Sequence, residues 1–132
     1  MLPAQFRMRH GDEFGAAISS GARSSTRRVV VHFSTASTRA GSARVGFVVS
    51  KAIGGAVQRN RVKRRLRAAM AEELHELPRS ARIVVRALPA AAGSTFAELR
   101  TDVRQCWRRA EQKDSRRRGV PSHLGQDRQA VR

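Results

Sequence analysis

The sequence predicts a mixed α/β domain on three observations. The runs "RRVVVHFS" at 27–34 and "ARVGFVVSK" at 43–51 are rich in β-branched residues and alternate with the period of two that a strand requires. Two longer stretches, 56–77 and 95–110, repeat apolar residues every three to four positions, the spacing of an amphipathic helix. Between them lies a short third β-like run, "ARIVVRALP" at 81–89. With 132 residues, the chain can build one modest core.

Each element has its own local reason. In "HGDEFGAAISSG" (10–21), Asp12 can cap a short helix with Phe14, Ala17 and Ile18 on one side, and Gly21 can end it. On the first strand, Val29, Val31 and Phe33 share one face while Arg28, Val30 and His32 share the other. On the second, Val45, Phe47 and Val49 oppose Arg44, Gly46, Val48 and Ser50. One sheet face is therefore expected in the core and the other partly open. Gly54-Gly55 gives a flexible entry to the central helix, where Val62, Leu66, Ala69, Met70, Leu74 and Leu77 form a stripe. Glu73 falls in that stripe and breaks it.

The last helix opens on Thr95 and Glu98 in a capping-box pattern, and carries Phe96, Leu99, Val103, Cys106, Trp107 and Ala110 on one arc. From Gln112 the periodicity stops, so the expected organisation is one domain over 1–111 and a basic, disordered tail over 112–132. There is no internal repeat, no apolar run that would span a membrane and no signal-peptide pattern. The single cysteine, Cys106, excludes an internal disulfide and fits a reducing compartment, so a cytoplasmic location is expected.

The charge narrows function. Lys and Arg number 27 against 10 Asp and Glu, a net charge of +17. Only Lys51, Lys63 and Lys113 are lysines; the rest are arginines, whose planar fork suits phosphate oxygens. A GC-rich genome would favour Arg over Lys, but it does not account for the net charge. So basic a chain repels itself unless a polyanion is near, and nucleic acid is the commonest one.

The central helix concentrates the question. Arg59, Arg61, Lys63, Arg64, Arg65 and Arg67 crowd its first half without an acid, and Glu72, Glu73 and Glu76 come after them. This reverses what the helix dipole prefers, and like charges stack at three- and four-residue spacing. The stacking costs on the order of 1–2 kcal/mol unless something neutralises it. A phosphate-bearing ligand would do so, because a helix N-terminus already favours anions. Helical geometry turns Asn60, Arg61, Arg64, Arg65 and Arg67 away from the apolar stripe. The Asn60 amide, which both donates and accepts, suits a 2′-hydroxyl or base edge.

The stretch "ARVGFVVSKAIGGAVQRNRVKRRLRAAM" resembles the signature of the bacterial ribonuclease P protein component. It matches at Arg44-Val45-Gly46, Ser50-Lys51, Gly54, Ala56-Val57, Arg59-Asn60-Arg61, Lys63-Arg64 and Arg67. "DEFGAAISSG", "RIVVRALP" and "STFAELRTDVRQCWRRA" resemble the family's flanking elements in the right order, so the likeness covers about 7–110. It implies an α/β sandwich of order α-β-β-β-α-β-α with a left-handed βαβ crossover, which the usual handedness rule would not predict. It also implies a third strand near Ala22 to Ser25, which the residues alone do not announce.

In function, the resemblance implies the protein subunit of an RNA-based endonuclease that removes the 5′ leader of precursor tRNA. Catalysis would belong to the RNA, with Mg2+ held mainly by RNA and substrate, and no protein active site is expected. The partners implied are the catalytic RNA and precursor tRNA, with no membrane and no protein partner required. Lys51, Arg59, Asn60, Arg61, Lys63, Arg64, Arg65 and Arg67 would bind the catalytic RNA. Phe14, Ile18, Arg28, His32, Ser50 and Arg86 would line a cleft for the leader. Ile18 and His32 stand where the family often has aromatic residues, which implies a grip on the leader through charge more than through stacking.

Other chemistries fit less well. His10, His32, His75 and His123 lack metal-ligand spacing, and Gly54-Gly55 lacks the context of a phosphate loop. Cys106 lies on an apolar arc, as an inert core cysteine would. A DNA-binding helix-turn-helix would need a second helix close before the basic one. The main alternative is a structural RNA-binding protein, such as a ribosomal protein, which would need no open cleft.

Overall fold

The computed structural model describes residues 4–8, 15, 18, 21–35 and 43–117. In chain order these form β1 (Ala22–Ser25), β2 (Val29–Thr35), β3 (Arg44–Val48), α1 (Ala56–Ala71), β4 (Ala81–Ala87) and α2 (Phe96–Arg117). The sequence of elements is the expected one. Gly15 and Ile18, within the anticipated first helix, are helical, whereas Asp12 and Phe14 lie outside the described residues.

The four strands form one sheet in the order β1-β2-β4-β3. β1 with β2 and β2 with β4 are antiparallel, whereas β3 and β4 are parallel and are joined through α1. Registers follow the side-chain alternation. Ala22, Phe33, Ile83 and Val45 line up across the sheet, as do Ser24, Val31, Val85 and Phe47; these rows form the helix-covered face. The opposite face carries Arg23, His32, Val84 and Gly46 in one row, and Ser25, Val30, Arg86 and Val48 in the next.

β1 is "ARSS", with no β-branched residue, and its short run is held by pairing with β2. It begins tightly: a Cβ at Gly21 would collide with the Phe33 carbonyl oxygen, so only glycine lets the chain approach β2 there. At the other edge of the sheet, Arg7 bridges to Val45 and the Met8 N–H donates to the Val45 carbonyl at 2.9 Å. Met8 then packs with Val84 and Val48, so the second face is less open than alternation alone predicts.

α1 enters through Gly54, whose φ of 144° is a left-handed conformation suited to glycine. The Gly55 N–H is taken up by the Gln58 side chain at 3.2 Å. Val62, Leu66, Ala69 and Met70 are buried as the stripe requires. The helix nevertheless stops at Ala71, short of Leu77, and Leu74–Glu76 forms a separate 310 turn. Pro78 keeps Leu77 itself out of the helical path, since the residue before a proline is driven out of helical space, and Leu77 is extended.

α2 begins with the anticipated capping box: the Thr95 N–H donates to Glu98 at 2.9 Å and the Glu98 N–H donates to the Thr95 hydroxyl at 3.1 Å. Its inner arc of Leu99, Val103, Cys106, Trp107 and Ala110 is fully buried, so Trp107 belongs to the centre of the core. The helix runs to Arg117, past the boundary expected at 111. Residues in the added turns are anchored inward, the Thr35 hydroxyl donating to Asp114 at 3.1 Å. Among the described residues no helix is long and apolar enough to cross a membrane.

Glu73 explains the broken stripe. It is 1% exposed, and its carboxylate accepts from Trp107 Nε1 at 2.9 Å and from Arg104 Nε at 3.0 Å. Burying a carboxylate is costly unless it is paired and hydrogen-bonded, and α2 supplies both conditions. On either side, Glu76 accepts from Arg108 at 2.8 Å and Glu72 lies 3.8 Å from Arg100. The Trp107→Phe variant should lose about 1–3 kcal/mol of stability by leaving part of the buried carboxylate unsatisfied. Urea unfolding measures this; an unchanged midpoint and slope would show that the Glu73–Trp107 bond contributes nothing.

Candidate nucleic-acid interface

The α1 cations divide from those of α2 by what they touch. Lys51, Arg59, Arg61, Lys63, Arg64, Arg65 and Arg67 make no ion pair among the described residues, whereas Arg100, Arg104 and Arg108 are all paired. Lys51, Asn60, Arg61 and Arg64 are exposed, and Arg59, Lys63, Arg65 and Arg67 are half-buried. The Arg59 Nε is buried without an acceptor. Arg65 departs from the expectation that it points freely outward. Its guanidinium donates to the Ser94 carbonyl at 2.6 Å and ties α1 to the turn after β4.

Val57 joins this surface although composition does not flag it. It is 72% exposed and falls on the same helical side as Asn60, Arg61 and Arg64, at three-, four- and seven-residue spacing. An apolar side chain so exposed amid cations is the signal that could have found it.

The residues expected in a second, cleft-like site separate into three groups. His32 and Arg86 do come together on the sheet face away from the helices. His32 lies opposite Arg23 on one side and Val84 on the other, and Arg86 stands in the adjacent row. Arg23 is exposed, and sequence reading missed it because β1 carries no strand signature of its own. Ile18 is 37% exposed, so it retains free apolar surface.

Arg28 does not join His32. It precedes the first residue of β2, and its guanidinium turns to α2, with Nη2 2.8 Å from Glu98 and Nη1 3.1 Å from Asp102. Two carboxylates outweigh strand alternation at a strand end. Ser50 also leaves the sheet: β3 ends at Val48, and the Ser50 hydroxyl accepts from the Ala52 N–H at 3.3 Å to start the turn into α1.

Electrostatics marks the same face. Burial first, then Arg86 and Arg23, push the His32 pKa below its ordinary 6.5, so this imidazole is neutral at physiological pH. Burial pushes the Cys106 thiol up, followed by the charge of Asp102, which leaves it a core thiol and a poor nucleophile. Glu98 is held below the usual carboxylate range by the Thr95 backbone N–H and then by Arg28.

Comparison with known proteins follows the same lines. A family model described as Ribonuclease P matches residues 2–111. The Ribonuclease P protein component of Acidothermus cellulolyticus is 48% identical over 99 residues, covering 75% of this chain and 82% of that protein. That of Beutenbergia cavernae is 57% identical over 104 residues, covering 78% and 86%. The solved RNase P protein of Staphylococcus aureus aligns with a TM-score of 0.70 and 24% identity, over 80% of this chain and 95% of its own. The Thermotoga maritima protein gives 0.65 and 23%, over 75% and 92%. At such identities these two structures speak for the fold.

His32 sets a pH dependence. Its folded pKa lies below 6.5, so the unfolded chain binds the proton more readily. Stability from this group is complete above the unfolded pKa and falls as pH drops through the window beneath 6.5. The His32→Gln variant should lose less stability than the parent between neutral and mildly acidic pH in matched thermal melts. Identical losses would remove His32 as the titrating group.

Proposed function

The chain belongs to the ribonuclease P protein family, and from that membership we propose that it is the protein subunit of a ribonucleoprotein that removes the 5′ leader of precursor tRNA. The RNA subunit performs the cleavage; the protein binds that RNA through α1 and the leader through the outer sheet face.

The observation that carries this reading is the set of α1 cations without carboxylate partners, in a protein whose other helix pairs Arg100, Arg104 and Arg108 with acids of the α1 end. A phosphate backbone supplies the missing counter-charge, and displaced counterions add to the free energy of association. Val57 and Asn60, exposed among those cations, offer apolar and amide contacts to riboses and bases.

Leader binding draws on Arg86 and His32, with Ile18 at the margin and Phe14 outside the described residues. A neutral His32, although only 7% exposed, can exchange a hydrogen bond with a base edge while the exposed Arg86 holds a phosphate. Arg28 is withheld from this role by its two carboxylates. Ser50 contributes through the entry to α1.

Mg2+ belongs in this reading to the RNA and substrate. A cytoplasmic site of action is part of the same proposal.

Replacing Arg61 or Arg64 by alanine should weaken binding to the cognate catalytic RNA. The slope of log affinity against log salt should fall by roughly one unit for each phosphate that is no longer neutralised. An unchanged slope in both variants would take α1 out of the RNA interface. In the assembled holoenzyme, Arg86→Ala should weaken precursor tRNA binding while sparing mature tRNA. Equal losses on the two RNAs would argue against leader binding on this face.

A further inference from the structure

We propose that a second basic track continues from the outer sheet face around the edge strand β1 onto α2, where Arg109, Lys113 and Arg116 hold the phosphate backbone of the 5′-distal part of a long leader. The inference rests on the leader-binding reading above and extends it to a surface on the far side of the sheet edge.

The track starts at Arg23, exposed on β1 directly opposite His32. Among the described residues β1 is an edge strand, so a chain lying across His32 and Arg23 meets no further described strand beyond it. It meets α2. The Lys113 ammonium donates to the Arg23 carbonyl at 3.0 Å, which places this side of α2 against β1 and leaves two of the three ammonium donors unused by that bond. Arg109 and Arg116 precede and follow Lys113 at four- and three-residue spacing, hence on the same side of the helix. The Cys106 thiol, on the buried side of α2, is influenced by Ser24 of β1 and by the charges of both Arg109 and Lys113. All three cations are exposed.

Among the described residues, no carboxylate pairs with this stripe. Glu98 and Asp102, on the same side of α2 but near its start, are taken up by Arg28, and Asp102 also accepts from Thr26. Asp114 and Glu111 are buried, meeting Thr35 and Ser115. Arg109, Lys113 and Arg116 make no ion pair among the described residues. A helix dipole favours cations in a last turn, which accounts for Arg116 and the nearby Lys113 being tolerated. It does not account for their continuity with Arg23, His32 and Arg86. A single strand bound without sequence preference asks for such a line of cations along its backbone.

The test uses holoenzyme assembled with the cognate catalytic RNA and three substrates: mature tRNA, precursor with a leader of about 5 nucleotides, and precursor with one of about 15, a range set by typical single-strand site sizes. The parent should bind the long leader more tightly than the short one. The R109A/K113A/R116A variant should lose that gain, with its long-leader salt slope smaller by about two units, and should keep its short-leader affinity. The R109Q/R116Q variant, which preserves the Lys113 bond to β1, should lose part of the gain. A gain retained in the triple variant, or no gain in the parent, overturns the proposal. So does an equal loss on all three substrates, which would assign the stripe to the catalytic RNA. Absence of any difference between mature tRNA and the short leader in the parent would instead strike the underlying leader reading.

Discussion

Glu73 is a carboxylate buried just past the end of α1, in line with its apolar stripe, and the packing of both helices has to accommodate it. Solvating it from within the core requires Trp107 and Arg104, so α2 must lie against α1 in one register. Arg108 and Arg100 extend the contact to Glu76 and Glu72. The acids that follow the basic half of α1 are thus used up internally, and only that first half faces outward with net charge. Cations crowd the first half of α1 against the preference of its own dipole, and the acids come just past its end, where they dock α2; on the proposed reading the cations are left for an external anion.

The sheet performs a second separation. Its helix-covered face is lined by Val31, Val85, Phe47, Phe33, Ile83 and Val45, while the opposite face sets Arg23 and Arg86 around a neutral imidazole. Desolvation and the two cations act on His32 in the same direction, so no competition between effects has to be resolved at neutral pH. An anion laid on this face would partly cancel the arginine contribution and bring the imidazole nearer to protonation. On the proposed reading the α1 surface and the sheet face recognise the same chemical class by different means, dense fixed charge on one and charge beside a buried ring on the other.

Much of this is legible in the residues, because two periodicities do the reporting. Alternation in β2 and β3 assigns their faces correctly, and the helical period finds the buried side of α2 down to Cys106 and Trp107. Glu73 is visible as an irregularity, although its partner lies 34 positions away and only the tertiary fold brings it near. β1 is legible only through the family resemblance, since "ARSS" has no propensity signal and owes its conformation to β2; with it goes Arg23. The orientations of Arg28 and Arg65 escape the sequence for a related reason. Alternation and helical angle describe where a Cα–Cβ bond points, and a long arginine turns toward the nearest acceptor, here the Glu98 and Asp102 carboxylates and the Ser94 carbonyl. The end of α2 lies beyond the apolar period because Asp114 and Ser115 are polar residues that the fold buries.

The most direct measurement is cleavage of precursor tRNA by the cognate catalytic RNA at low Mg2+, with and without this protein. The account predicts strong stimulation of correct 5′ cleavage by the complex and no cleavage by the protein alone. Tight RNA binding without stimulation would contradict it and leave a structural RNA-binding protein in its place.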